Sequence, residues 1–189
     1  MKNNNTKSEQ SISEQNIHSK TNTPSTFWSG YLQKGQFETR DESIPFQKLK
    51  PEEFIPGLQE AIQAARQQIQ KIKANPAAAD FANTILALES AGEASEVISG
   101  VFFNLFSSEA NEEFQSLAKD ISPILASYSS EISLDLELFE KIKSVYDRRQ
   151  DLNLNQEQIK LTEKYYKDFV RNGALLPADK KEKLKQIDQ

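Results

Sequence analysis

The sequence contains no cysteine and only one histidine, His18, among its 189 residues. The absence of cysteine excludes a disulfide scaffold, a thiolate zinc site, an iron–sulfur cluster and a cysteine nucleophile. One histidine cannot supply the two zinc ligands of an H-E-x-x-H motif, so that motif is excluded within this chain. A lone histidine in a polar stretch is usually inert, because a metal site needs several ligands. These residue types therefore predict no catalytic, metal-binding or cofactor-binding residue.

Three further features are missing. Glycine occurs six times, never in a G-x-G or GK[ST] arrangement, which excludes a phosphate-binding loop. No apolar run reaches about 18 residues, and the N-terminus lacks an apolar stretch of signal-peptide length. The net charge of −5 and the pI of about 5.1 argue against nucleic-acid binding. We therefore expect a cytoplasmic protein that binds neither nucleic acid nor a membrane.

The composition divides the chain into three parts. Beyond the initial Met, residues 1–26 hold only two large apolar side chains, Ile12 and Ile17, and we predict a disordered polar leader that includes His18. Residues 27–49 carry aromatic side chains without a helical period, and we predict an extended segment anchored on a larger body. Residues 50–189 are predicted to form a helical domain, truncated at its C-terminus.

Apolar residues from Pro51 onward recur at the spacing of an α-helix. The first predicted helix begins at Pro51 and stops at the Asn75–Pro76 pair. Four more are predicted from candidate N-terminal capping residues, which are Asp80, Asn111, Asp135 and Asn155. Gly173 suits the end of the fifth helix, and Pro177 opens a sixth that carries Leu184 and Ile187. Because hairpin signals are missing, we predict an all-α fold, a bundle of about six helices.

Each predicted helix has an apolar face that we expect to lie inward. The first helix contributes Phe54, Leu58, Ala61, Ile62, Ala65, Ile69 and Ile72, and the second contributes Phe81, Ile85, Leu88, Ile98, Phe102 and Leu105. The third contributes Phe114, Leu117, Ile121, Ile124 and Tyr128, the fourth Leu138, Ile142 and Val145, and the fifth Ile159, Tyr166, Phe169 and Val170. Within the second face, the small pair Gly92 and Ser95 predicts a close approach of another helix.

Three other local features carry predictions. Pro123 removes one backbone hydrogen bond and predicts a kink in its helix. The run VFFNLF at 101–106 exceeds one helical face, so some of its side chains are predicted to contact a second layer. Arg148 and Arg149 are expected near the C-terminal end of the fourth helix, where the helix dipole favours positive charge.

Two groups of charged residues are candidate binding sites. Glu89, Glu93 and Glu96 fall on one helix face and are candidates for a hard-cation site, but a solvated acidic face is the favoured interpretation. The basic run at the C-terminus mixes with acidic residues, and a solvated helix face is again favoured. Its members are Lys180, Lys181, Lys183 and Lys185.

Five stretches, in order and with similar gaps, resemble the thimet oligopeptidase–neurolysin family of zinc metallopeptidases. They are PFQKLKPEEF at 45–54, NP at 75–76 followed by DFANTI at 80–85 and ALE at 87–89, VFFNL at 101–105, LFEKIKSVY at 138–146, and EKYYKDFVRNGA at 163–174. The combination is most similar to the peptidyl-dipeptidase branch, the dipeptidyl carboxypeptidases. One departure is Tyr128, where relatives often have histidine.

The resemblance implies an N-terminal helical region that forms one wall of a deep channel admitting short peptides. It also implies that the zinc ligands and the general-base glutamate lie far downstream, so that none maps onto a numbered residue here. The expected partners are that catalytic region, in cis or in trans, and short peptides for the complete enzyme. Zinc is implied for the full-length relative and no cofactor for this chain.

We therefore expect a truncated chain that is inactive alone. A disrupted gene, a gene split into two chains or an expression fragment would each give it. The apolar stripe of Leu184 and Ile187 is cut short by the end of the sequence, which fits a cut inside a helix or the ordinary fraying of a terminus. The alternative function is a free-standing helical module that binds a peptide or protein without enzymatic activity.

Overall fold

The computed structural model describes residues 26–35, 43–109, 111–177 and 180, and within them all regular structure is helical. The α-helices are α1 (Thr26–Lys34), α2 (Phe54–Ala74), α3 (Ala87–Glu109), α4 (Glu112–Ser133), α5 (Leu136–Asp147) and α6 (Gln156–Arg171). Short 3-10 turns at Phe46–Lys48 and Pro51–Glu53 precede α2, and a π-helical run, Phe81–Leu86, leads into α3. The predicted all-α bundle is confirmed for these residues.

Two predictions fall outside the described residues. One is the polar leader, of which only Thr26 is described. The other is the helix opened by Pro177, whose apolar positions Leu184 and Ile187 are not described. The basic run shares this position, since Lys180 is its only described member.

The molecule is organised around α2 and α3, which pack against each other as an antiparallel pair. The first hydrophobic cluster, here called the tryptophan cluster, joins the start of α2 and the end of α3 to α1 and α4. Its buried members are Trp28, Tyr31, Phe54, Leu58, Ala61, Ile62, Ile98, Val101, Phe102, Phe114 and Ile121. Burying such apolar surface supplies most of the stability of a domain of this size.

The opposite end of the α2–α3 pair packs against α5 and α6. The second cluster, here called the α5–α6 cluster, has as buried members Ile69, Ile72, Ala79, Ile85, Leu88, Ala91, Leu138, Phe139, Ile142, Val145, Phe169 and Ala174. The inward faces predicted for α2 and α5 are buried at every position. The faces predicted for α3, α4 and α6 are split between buried and half-buried residues, because each of these helices lies partly at the surface.

Four predicted helix starts are confirmed by their capping contacts. The Asp80 carboxylate accepts a hydrogen bond from the Asn83 amide at 2.8 Å, and the Asn155 side chain accepts one from the Gln158 amide at 2.9 Å. In both cases the later side chain accepts a hydrogen bond from the backbone amide of the capping residue, which completes a capping box. Asn111 and Asp135 each cap a helix with a single bond.

The end of α6 also follows prediction. Gly173 has a φ of 94°, and its amide donates to the Val170 carbonyl while the Ala174 amide donates to the Phe169 carbonyl. This pair of bonds is the Schellman arrangement, which needs a residue in the left-handed region and so favours glycine there. At the end of α5, Arg149 Nη1 donates to the Tyr146 carbonyl at 2.7 Å. The predicted C-terminal position of the arginines is thereby confirmed.

The prediction of an extended segment over 27–49 is wrong for its first part, which is the nine-residue helix α1. Trp28, Tyr31 and Leu32 lie three and four residues apart, so one short helical face carries them into the tryptophan cluster. The predicted aromatic anchoring is nevertheless found, because the Trp28 side chain has 0% exposure. The division of the chain into domains stays a prediction.

The close helix approach predicted at Gly92 and Ser95 is not found at Gly92. A Cβ atom placed on Gly92 would meet only the Glu96 carboxylate, at 3.7 Å. The tight contact is instead at Gly57 in α2, where a Cβ would lie 2.6 Å from Cγ of Trp28. Gly57 therefore leaves the space that the indole of α1 fills.

The apolar run at 101–106 behaves as predicted. Val101 and Phe102 are buried, and the Phe102 ring contacts those of Phe54 in α2 and Phe114 in α4 at centroid distances of 5.3 and 5.9 Å. Phe103, by contrast, keeps 38% of its surface exposed. Pro123 lies inside α4, and its predicted kink stays a prediction.

Candidate functional site

An open groove of about 390 Å³ lies where α3, α4 and α6 meet, and it is the candidate site. Small residues form much of its lining, namely Gly92, Ser95 and Ser99 from α3 with Ser129 and Ser133 from α4. Three of these hydroxyls are turned to their own helix. Ser95 donates to the Gly92 carbonyl, Ser99 to the Glu96 carbonyl and Ser133 to the Ser130 carbonyl. Small side chains thus leave space that larger ones would fill.

Two tyrosines also line the groove, Tyr128 from α4 and Tyr165 from α6. The Tyr165 hydroxyl donates a hydrogen bond to the Glu89 carboxylate of α3. Burial, and then this bond to Glu89, raise the pKa of Tyr165 well above its ordinary value. Burial likewise raises the pKa of Tyr128, with a smaller contribution from Glu131. Both phenols therefore stay protonated at neutral pH.

The charged side chains of the groove are Glu96, Lys164 and Asp168. Lys164 and Asp168 lie one helical turn apart and pair at 3.4 Å, and Arg171 approaches the same carboxylate at 4.0 Å. Glu96 differs, because within the described residues no lysine or arginine nitrogen lies within 4 Å of its carboxylate. The groove consequently carries one unpaired negative charge.

The three carboxylates considered as a cation site do not converge. The Glu89 carboxylate binds Tyr165, and Glu96 lines the groove. Glu93 lies closer to α1. There the pKa of Tyr31 is raised, first by burial of the phenol and then by the negative charge of Glu93. All three side chains are exposed, as the favoured interpretation of a solvated acidic face requires. In the described part of the chain, no three His, Asp or Glu side chains are placed to hold a metal.

The zinc implied by the family resemblance does not fit the donors that the structure describes. A hydrolytic zinc site takes three protein ligands, usually with histidine among them. The described residues include no histidine, so no serine there has a histidine base beside it either. The groove can hold a ligand through shape, aromatic rings and charge, but the described side chains offer no route to metal-assisted hydrolysis.

The residues that carry the family resemblance are mostly structural. Asn83 accepts from the Asp80 amide, donates to the Ala78 carbonyl and accepts from the hydroxyl of the fully buried Thr84. Lys141 in α5 donates to the Asn75 carbonyl at 2.8 Å. These contacts fix the turn between α2 and α3 and thereby the start of α3, which forms one side of the groove.

The two later motifs build the contact between α5 and α6. The rings of Tyr146 and Tyr166 stack at a centroid distance of 3.9 Å, and the Arg149 guanidinium covers Tyr146 at 4.0 Å. Phe139 continues this arrangement by stacking on both Tyr166 and Phe169. The ring contacts between these two motifs therefore hold α6 against α5, and α6 in turn places Tyr165 in the groove.

The groove was not anticipated from the sequence as a site. Tyr128 was noted only as a departure from the family pattern, and Tyr165 only as part of a motif. The sequence signal for the groove was the small pair Gly92 and Ser95, which marks open space rather than a helix contact.

Among the described helices, none is long and apolar enough to cross a membrane.

Comparison with known proteins gives the sequence relationships. No family model matches the chain. It is 37% identical over 143 residues to the dipeptidyl carboxypeptidase of Escherichia coli K12 and 34% identical over 143 residues to that of Salmonella typhimurium LT2. Each match covers 76% of this chain and 21% of the relative. Oligopeptidase A of Escherichia coli is 24% identical over 149 residues, which is 77% of this chain and 22% of that protein.

The chain thus spans about a fifth of the length of the relatives it matches. Identity is higher to the two dipeptidyl carboxypeptidases than to the oligopeptidase. These matches relate the chain to the thimet oligopeptidase–neurolysin family and, within it, to the peptidyl-dipeptidase branch.

Proposed function

We propose that this chain forms part of the wall of a peptide-binding channel in a peptidyl-dipeptidase and hydrolyses no peptide by itself. The observation that carries the proposal is the match to dipeptidyl carboxypeptidases over three quarters of the chain. The described residues support it in two ways. They supply an open groove with aromatic and charged lining, and they contain no donor set suited to a hydrolytic zinc.

In the complete enzyme, a zinc ion held by the downstream region would activate water for the release of C-terminal dipeptides. The residues of this chain would bind and orient the peptide and limit access to short or unstructured chains. Such positioning accelerates a reaction without any catalytic group in the wall, because it holds the reacting atoms together.

The proposed partner of this chain is therefore the catalytic region. The candidates for contact with it are the described large apolar side chains that remain exposed in this chain. They are Phe46, Leu86, Phe103, Leu136, Leu175 and Leu176. Covering exposed apolar surface stabilises a folded protein, and a partner that binds only the folded state raises its unfolding temperature.

The second candidate function is a free-standing helical module that binds a peptide or protein. The groove favours it, since it is open without any additional chain. The DNA immediately downstream separates the candidates. A neighbouring frame that encodes H-E-x-x-H supports the channel wall, and its absence supports the free-standing module.

The direct test assays the purified, tag-free chain on short peptides with free C-termini. We expect no chelator-sensitive release of dipeptides and far less than one zinc per chain by elemental analysis. Addition of the catalytic region of a dipeptidyl carboxypeptidase should raise the unfolding temperature of the chain. Hydrolysis by the chain alone that changes when Glu96 or Tyr165 is substituted would contradict the proposal, because a contaminating enzyme would not respond.

A further inference from the structure

The Glu96 carboxylate has an unusual position on α3. It lies over Gly92, with Oε1 3.7 Å from the place where a Cβ of residue 92 would be. Any larger residue at position 92 would occupy space beside this carboxylate. Since no described lysine or arginine pairs with Glu96, its negative charge faces the groove uncompensated.

Tyr128 and Tyr165 bring aromatic rings from two different helices into the same groove. The Glu96 carboxylate lines the same groove as both rings, and its charge adds, after burial and nearer groups, to the raised pKa of each phenol. A carboxylate with aromatic rings around it is the combination that proteins use for organic cations. The ring face attracts the cation and the carboxylate pairs with it.

The charged residues that line the groove sum to a net negative charge, which favours a cationic ligand. Lys164 is the one cation among the groove residues that the structure describes. It pairs with Asp168 and lies 5.2 Å from the centroid of one face of the Tyr165 ring, so an incoming cation would have to displace it or use the other face. Glu96 remains, and Glu89 adds a second negative charge behind Tyr165. The volume of about 390 Å³ falls within the range of about 300–1,000 Å³ that is typical of ligand pockets.

We propose that the groove between α3, α4 and α6 binds an arginine side chain of an extended peptide, with Glu96 as the anion and Tyr128 and Tyr165 as the aromatic walls. This ligand assignment rests on the proposed peptide-facing function of the chain. Arginine fits better than lysine because a planar guanidinium stacks on aromatic rings and pairs with both carboxylate oxygens. The small lining residues Gly92, Ser95 and Ser99 leave room for the aliphatic part of the arginine side chain.

The test is a titration of the isolated chain, ¹⁵N-labelled, with the blocked tetrapeptide Ac-Ala-Arg-Ala-Ala-amide, followed by amide chemical shifts. The same peptide with citrulline in place of arginine keeps the shape and removes the charge. We expect saturable shifts confined to the three groove helices, with binding about tenfold or more weaker for citrulline. Equal binding of the two peptides, or no binding of either, would overturn the proposal.

Matched variants separate the groove from general charge effects. Glu96→Gln should weaken arginine binding about tenfold, whereas Glu93→Gln, an identical change one turn earlier and outside the groove lining, should leave it unchanged. An equal loss in both variants would show non-specific attraction. Tyr128→Phe keeps the ring and should retain binding, and Tyr128→Leu should lose it, with unaltered spectra elsewhere as proof of folding.

This experiment needs neither zinc nor hydrolysis. If arginine fails to bind while the chain supports dipeptide release in a complete enzyme, only the ligand assignment fails. If arginine binds as described and no complete enzyme forms, the channel-wall function fails and the ligand assignment stands on a free-standing module.

Discussion

The two hydrophobic clusters lie at opposite ends of the same helix pair, but different interactions hold them. In the tryptophan cluster, aromatic rings pack against one another, as Trp28 and Phe102 do against Phe54 at centroid distances of 5.9 and 5.3 Å. The α5–α6 cluster adds directed polar contacts at its border. Lys73 pairs with Asp135 at 2.7 Å, and both partners are largely buried.

This difference predicts different sensitivities. Ring packing depends on volume and close fit, so the tryptophan cluster should respond strongly to the loss or addition of single atoms. The polar border of the α5–α6 cluster consists of contacts of modest individual value, namely Lys73 with Asp135, Lys141 with the Asn75 carbonyl and Asn83 with the Ala78 carbonyl. It should therefore lose stability in small steps.

Phe102→Ala and Phe139→Ala remove the central ring of each cluster. Both rings are almost fully buried, so each change should cost about 3–5 kcal/mol of unfolding free energy. Phe102 packs against four other rings and Phe139 against two, so the loss should be larger for Phe102. Urea unfolding of both variants measures this, and a larger loss for Phe139→Ala would invert the comparison.

Gly57→Ala and Gly92→Ala make the same change in two helix interiors. At Gly57 the new methyl group collides with the Trp28 ring, and we expect a loss of about 1–3 kcal/mol. At Gly92 the methyl group meets only Glu96 at ordinary contact distance, and the higher helix propensity of alanine should add about 0.5–1 kcal/mol. Thermal and urea unfolding test both signs, and equal effects would refute the assigned close approach.

Asn83→Ala removes the partner of the Asp80 cap, which makes several hydrogen bonds, and Asn111→Ala removes a cap that makes one. The Asn111 side chain accepts one capping bond from the Phe114 amide, and its loss should cost about 1 kcal/mol. Asn83 also binds the Ala78 carbonyl and the hydroxyl of buried Thr84, so its loss should cost about 1–3 kcal/mol. Hydrogen exchange of the amides in the Phe81–Leu86 run should accelerate selectively in Asn83→Ala. Unchanged exchange there would argue against the polar border.

The pH dependence sharpens the comparison at the groove. The pKa of Tyr165 and Tyr128 is raised above 10.0, first by burial, and that of Lys73 above 10.5, first by its bond to Asp135. A raised pKa means that the folded state holds its proton longer, so stability is full below the unfolded pKa and falls as pH rises beyond it. We expect the unfolding temperature to fall above about pH 10.

Ultraviolet absorbance of tyrosinate follows the same process. Tyr128 and Tyr165 should ionise at a higher pH than an exposed phenol, which ionises near pH 10, because burial raises the pKa of both. Ionisation of every tyrosine near pH 10 in a fully helical protein would show that these two rings are not buried as described.

The sequence was sufficient where the determining contacts are local. The caps at Asp80, Asn111 and Asp135 are side chains that bind a backbone amide three residues later, so they could be identified from spacing alone. The inward face of α2 was predicted for the same reason, because apolar period alone defines it.

Contacts between distant residues could not be predicted in this way. Helix α1 is short, and its stability comes from packing of Trp28 into a space that Gly57 leaves in another helix. The groove likewise depends on how α4 and α6 carry Tyr128 and Tyr165 toward each other, which no local pattern specifies. Both features follow from tertiary packing, which local propensity leaves open.

The central proposal is that this chain forms a channel wall and depends on the catalytic region of a peptidyl-dipeptidase for hydrolysis. A chimera tests it most directly, in which this chain replaces the matching fifth of the Escherichia coli dipeptidyl carboxypeptidase. We predict that the chimera binds zinc and releases C-terminal dipeptides, and that a chelator abolishes the release. A folded, zinc-loaded chimera that releases no dipeptide would contradict the proposal.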